Sequence, residues 1–185
     1  MNEYERLRKL SEEAKSEVLK LNIPIGKTIT FKVGNLLRAF GNCTLKRNIA
    51  KGDYFIISIA STLLQAGSDT DVKDTIIHEL IHTVDGCMNH GYLWKSYADK
   101  VNRAYTQYHI SRTGMVDSLE NSSAFKSSMV ATAKYVLKCE CGKEVVYGRK
   151  GKIVDLVARN YPSYMGGITC RMCGRRNSYK LIQNR

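Results

Sequence analysis

The chain has 185 residues, 29 lysines and arginines against 17 aspartates and glutamates, and a formal net charge of +12. That length allows one compact core plus an accessory module, and no apolar run approaches the ~20 residues that a membrane-spanning helix needs. The opening stretch Met1–Arg6 carries both signs of charge and lacks an apolar signal core, so the expected location is cytoplasmic, nucleoid-associated in a bacterial or phage setting. There the six cysteines read as metal ligands or free thiols before disulfides.

Leu7, Leu10, Ala14, Val18 and Leu21 recur at helical spacing, which predicts an amphipathic helix over 2–21 ended by Pro24 and Gly26. Strands are expected over Thr28–Val33, near Cys43–Lys46 and over Tyr54–Ile59. Ser68, Asp69, Thr70 and Asp71 are N-cap candidates for the next helix, and Asp85-Gly86 is its natural stop. Setting His78 at zero on a helical wheel puts His82 at about 40° and Glu79 at about 100°. Val72, Ile76, Ile77, Leu80, Ile81 and Val84 then fall between about 120° and 300°, so the helix buries one face and presents His78, Glu79 and His82 on the other. Leu93, Trp94, Tyr97, Ala98, Val101, Tyr105 and Tyr108 predict a second helix packed beside the first. His109, far along it, reads as structural or solvent-facing. Ser111–Ser128, rich in Ser, Thr and Asn, reads as a linker.

The chemistry begins at His78-Glu79-Leu80-Ile81-His82. Two histidines one helical turn apart can grip a single metal ion, and the glutamate beside the first can manage the protons of a metal-activated water. The metzincin pattern would need glycine at Asp85 and histidine at Met88, so that class is excluded. A glutamate ligand from the following helix is missing, because the first Glu downstream is Glu120; Asp99 is a weak substitute. His90, just past the turn, is the better third ligand and would leave one position open for chemistry.

His78–His82 followed by His90-Gly91-Tyr92-Leu93-Trp94 resembles the SprT-like family, the metalloproteases related to Spartan. The order of helix, short strands, metal helix, second helix and cysteine-bearing end is similar too. The gap between His82 and His90 is shorter than in better-known members. The resemblance implies that Glu79 is the catalytic base, that His78, His82 and His90 bind zinc, and that an edge of the small sheet receives an extended peptide.

Cys139-x-Cys141 and Cys170-x-x-Cys173 are each followed by glycine, Gly142 and Gly174, which allows tight turns that aim two sulfurs inward. With strand-like runs around Val145–Tyr147 and Ile153-Val154 they read as a zinc ribbon with one four-thiolate site, against the alternative of a thiol or redox pair. Cys43 and Cys87 lack paired spacing and read as free, semi-buried thiols. Residues 126–185 hold 13 Lys/Arg against 3 Asp/Glu, a surplus of 10, whereas residues 1–125 have a surplus of 2. Arg149, Lys150, Lys152, Arg171, Arg175 and Arg176 fall on the ribbon's expected turns among Tyr147, Tyr161, Tyr164 and Tyr179, so nucleic-acid contact is expected there. For the individual tyrosines a role in a thin core is the simpler expectation.

The expected fold is α+β: a small zincin-like metalloprotease domain over 1–110, with helices packed on a short β-sheet, a linker over 111–134, and a basic C-terminal β zinc ribbon over 135–185. The expected function is zinc-dependent endopeptidase action on DNA-associated proteins, of the DNA–protein crosslink type. It would use one catalytic and one structural Zn²⁺, with DNA and DNA-bound protein as partners and no membrane. The rival readings are a DNA-binding or regulatory protein with a latent zincin centre, and a metal-dependent nuclease.

Overall fold

Asn2 opens the first helix, α1 (Glu3–Lys20), through a capping box in which its side chain accepts from the Glu5 N–H and Glu5 returns the bond to the Asn2 N–H. Leu7, Leu10, Ala14 and Val18 form the buried stripe that the spacing predicts. The computed structural model describes residues 2–36, 39–50, 52–112, 127 and 129–184. The chain divides into two compact units, Met1–Lys126 and Ser127–Arg185. Both mix helices with a small sheet, so the fold class is α+β. Among the described residues no helix is long and apolar enough to cross a membrane.

In the first unit β1 (Ile29–Gly34), β2 (Gly41–Lys46) and β3 (Tyr54–Ala60) form a sheet in the order β1-β3-β2. The central strand pairs parallel with β1 and antiparallel with β2, placing Cys43 opposite Ile57 and Gly41 opposite Ile59. A short helix, α2 (Ser61–Ala66), leads to α3 (Asp69–Ile81), whose start is fixed twice. Ser68 and Asp71 make a capping box, and the Arg6 guanidinium of α1 reaches Asp69 and the carbonyls of Leu64 and Gly67. Val72, Ile76, Ile77, Leu80 and Ile81 of α3 are fully buried, each contributing about 1.5–3 kcal/mol by leaving water. That apolar face packs α3 onto α1, β2 and β3, and α4 (Tyr92–Ala104) packs beside it through Trp94, Ala98 and Val101.

Two expectations differ in detail. The α3 ladder ends at Ile81 rather than at Asp85, and residues 82–86 continue as tighter turns, with Thr83 N–H bonded to the Leu80 carbonyl and Val84 N–H to that of Ile81. Gly86 then reverses the chain at φ +75. Helix α4 stops at Ala104, so Tyr105, Tyr108 and His109 lie beyond it. Of the expected linker, residues 113–126 and 128 lie outside the described residues; residues 129–132 are helical and Ala133 is buried.

In the second unit β4 (Tyr135–Cys139), β5 (Glu144–Tyr147) and β6 (Tyr179–Asn184) form an antiparallel sheet in the order β5-β4-β6. Ile153-Val154, expected as a strand, instead lies in α5 (Lys152–Ala158). Two adjacent β-branched residues suggest a strand, but Val154 and Val157, three apart, share one buried face, which is helical periodicity. That face joins Leu137, Cys139, Cys170 and Tyr179 in a small core.

Candidate metal centre

Helix α3 carries His78 and His82 one turn apart, and the turn before α4 supplies His90. This turn explains the His90-Gly91 pair: the Asn89 side chain accepts from the Gly91 N–H at 2.9 Å. A Cβ at Gly91 would stand 2.7 Å from that same oxygen. The three Nε2 atoms converge at 3.2, 3.2 and 3.0 Å from one another.

The protons show what this convergence means. His82 Nδ1 lies 2.7 Å from the Cys87 carbonyl and His78 Nδ1 lies 2.9 Å from the Ser111 carbonyl. A carbonyl can only accept, so both rings carry their proton on Nδ1 and turn a bare lone pair inward at Nε2. Burial, and then the charges that His82 and His90 would carry, push His78 down to about 4, so it stays neutral near pH 7. Lone pairs facing each other at this distance repel unless a cation lies among them. Two nitrogens bound tetrahedrally at 2.0–2.1 Å are about 3.3 Å apart, close to what is seen here. The three histidines therefore fit a divalent ion.

Trp94 is the floor of the site. Its ring centre lies 4.7 Å from those of His78 and His90 and 5.6 Å from that of His82, where the two rings stack. Glu79 is buried rather than solvent-facing as a bare wheel suggests, and burial pushes its carboxyl up to about 7. Gly41, opening the edge strand β2, makes room for it: a Cβ there would meet Glu79 Cγ at 2.9 Å, Glu79 Oε1 at 3.0 Å and Thr75 Cγ2 at 2.8 Å. Half-buried Cys43 on the same strand is pushed up to about 12 by burial and by the Glu79 charge, which makes it a poor nucleophile. Cys87 is fully buried and serves through its carbonyl. Asp99 is exposed on α4 and outside the cluster.

A sequence model of the SprT-like family matches residues 7–114, more than half of the chain and all of this centre. The chain belongs to the SprT-like family. The family is one of metalloprotease-type domains, and the matched span holds His78, Glu79, His82, His90 and Trp94 together. Searches of curated proteins and of solved structures find no match. The family match ends before the cysteines, so the second unit rests on its own geometry.

There Cys139, Cys141, Cys170 and Cys173 gather their sulfurs within 4.8 Å of one another. Cys139 and Cys173 are 3.7 Å apart and Cys141 and Cys170 are 3.8 Å apart, far too long for disulfides. Tetrahedral thiolates at ~2.3 Å from an ion stand about 3.8 Å apart, so this cluster also fits a metal. Gly142 and Gly174 turn at φ +90 and +73, as tight knuckles require. The Ser178 hydroxyl lies 3.0 Å from Cys139 Sγ and lowers that thiol's pKa, and the Tyr179 hydroxyl helps draw Cys170 down to about 6.

The basic residues are all exposed: Arg149, Lys150 and Lys152 between β5 and the start of α5, and Arg171, Arg175 and Arg176 around the second knuckle. Lys150 pairs with Asp155 at 3.2 Å and Arg175 with Glu140 at 3.2 Å, which spends part of their charge within the unit. Tyr147, Tyr161 and Tyr179 belong to the small core, whereas Tyr164 is exposed. Beyond the anticipated ligands, the structure adds the carbonyls of Ser111 and Cys87, the Trp94 floor and the Gly41 cradle. Every residue has a carbonyl, so the first two leave no mark in sequence. Gly41 at a strand's start and the tryptophan of the quoted motif were the visible signals.

Proposed function

We propose that the chain is a zinc endopeptidase acting on proteins held on DNA. The carrying observation is the inward convergence of three Nε2 lone pairs, two of them fixed by Nδ1–H bonds to carbonyls. Zinc held by His78, His82 and His90 would supply Lewis acidity, polarising a peptide carbonyl and acidifying water. Glu79 takes the proton released as water attacks and hands it to the departing amine. The buried setting of its carboxylate against Gly41 holds it ready for that transfer. Among the described residues strand β2 is an edge of its sheet, and its first residue lies so near Glu79 that a Cβ there would meet the Glu79 side chain at 2.9 Å, so a peptide added along that edge would run past the proton carrier. In this reading the domain is zincin-like, and the four cysteines hold a second, structural zinc in a ribbon. Arg149, Lys150, Lys152, Arg171, Arg175 and Arg176 would bring the enzyme to phosphate backbones.

The test compares wild type with Glu79→Gln on protein bound to DNA, on free protein and on naked nucleic acid. Wild type is expected to cut protein, fastest when it is DNA-bound, and the variant to lose cutting while keeping its zinc. Cleavage of naked nucleic acid would instead make the centre a nuclease. No cleavage by zinc-loaded wild type would leave a binding protein with a zincin-type site.

A further inference from the structure

We propose that Asn102 is a positioning residue of the histidine centre, acting through the backbone of Ile110 and Ser111 on the His78 imidazole. The proposal rests on the reading that the three histidines hold an ion. His82 receives its carbonyl from Cys87, five residues on, in a turn that continues its own helix. His78 depends on Ser111, 33 residues on and in no helix or strand. A carbonyl in irregular chain holds its place only as well as its neighbours are fastened.

Those neighbours are fastened one by one. The Tyr108 hydroxyl donates to Glu17 of α1 at 2.6 Å. The His109 N–H donates to both carboxylate oxygens of Asp74 of α3 at 3.2 Å. Asn102 then grips both polar groups of Ile110: Oδ1 accepts the Ile110 N–H at 2.7 Å and Nδ2 donates to the Ile110 carbonyl at 2.9 Å. The next carbonyl in the chain is the one that holds His78. A closed pair of this kind needs a side chain that donates and accepts at once, which a short primary amide does and a carboxylate or methyl does not. Asn102 lies in the last turn of α4 and Trp94 in its first, so one helix holds the rings at its beginning and the carbonyl strap at its end. Partners that orient a metal-ligating histidine typically account for roughly 10–100-fold in metal affinity.

Trp94, the chain's single tryptophan, touches all three imidazoles and reports on this centre alone if zinc is added against a competing chelator. In full-length protein Asn102→Asp keeps the size but sets a carboxylate oxygen against the Ile110 carbonyl. Its zinc affinity read through Trp94 is expected to fall roughly 10–100-fold. The cysteine site, read by cobalt–thiolate absorption, should not change. In a His78→Ala background, where the strap has no ring to hold, the same substitution should change the residual affinity by less than about two-fold. Asn102→Ala, which carries no added charge, is read in the same way where the aspartate does not fold. A loss smaller than about five-fold, an equal loss in the His78→Ala background, a parallel loss at the cysteine site, or failure of both variants to fold would overturn the proposal. A wild-type Trp94 signal that ignores zinc would instead overturn the underlying reading of the triad.

Discussion

Gly41 shows how one missing side chain can decide the geometry of a site. A Cβ there would stand 2.8 Å from the Thr75 methyl, 2.9 Å from Glu79 Cγ and 3.0 Å from Glu79 Oε1, so Gly41→Ala presses on the side chain that carries the carboxylate. A displacement near 1 Å can cost about 100-fold in rate. The expected outcome is a kcat reduced by roughly that factor with zinc retained, measured by peptide turnover and metal content; unchanged kcat would mean that Glu79 does not need this cradle. Asp74 gives a second prediction. Burial pushes its carboxyl up to about 6 from an ordinary value of 3.8. Between those values the folded chain binds more protons than the unfolded one, so stability falls as pH rises from about 4 to about 6. Because the group is partly exposed, the loss is about 1 kcal/mol after screening. Asp74→Asn keeps an acceptor for the His109 N–H and should flatten this part of the profile, read from urea midpoints at pH 4, 5 and 7. At this scale the metal grip was legible because helical spacing alone puts His78, Glu79 and His82 on one side. The carbonyls that fix the rings were not, since they come from the backbone of Cys87 and Ser111 after tertiary folding.

At the scale of elements, α3 is the part the rest is arranged around. Ser68 caps it, Arg6 ties its first turn to α1, and its apolar face is buried along its whole length. Ser68→Ala should destabilise the first unit by about 1 kcal/mol, seen as a lower unfolding midpoint, while Trp94-reported zinc affinity stays as in wild type. Loss of affinity would place the cap in the site rather than in the scaffold. The three strands of the first sheet and helices α1, α3 and α4 were readable from periodicity and from Pro, Gly and Ser punctuation. Helix α5 was not, because Ile153-Val154 favours a strand locally and only the packing of Val154 and Val157 against Leu137 and Cys170 makes it a helix. The early end of α3 was hidden for a related reason: residues 82–86 keep turning in tighter form, which leaves the residue pattern unchanged.

For the whole molecule, charge and the two candidate metal-ligand groups divide in the same way as the two units. The first unit carries the histidine centre and a surplus of 3 charges; the second holds the four cysteines and the remaining 9 of the net +12. Affinity for DNA should fall steeply with salt, and replacing Arg149, Lys152, Arg171 and Arg176 with alanine should flatten that slope, as read by fluorescence anisotropy at several ionic strengths. A slope unchanged by the substitutions would assign the basic surplus to solubility. The proposed peptidase chemistry depends on an ion among His78, His82 and His90, and metal content tests that most directly. Wild type should hold about two zinc ions per chain and His90→Ala about one, with the remaining ion on the cysteines. A His90→Ala chain that keeps both, or a wild type that never holds more than one, would contradict the account.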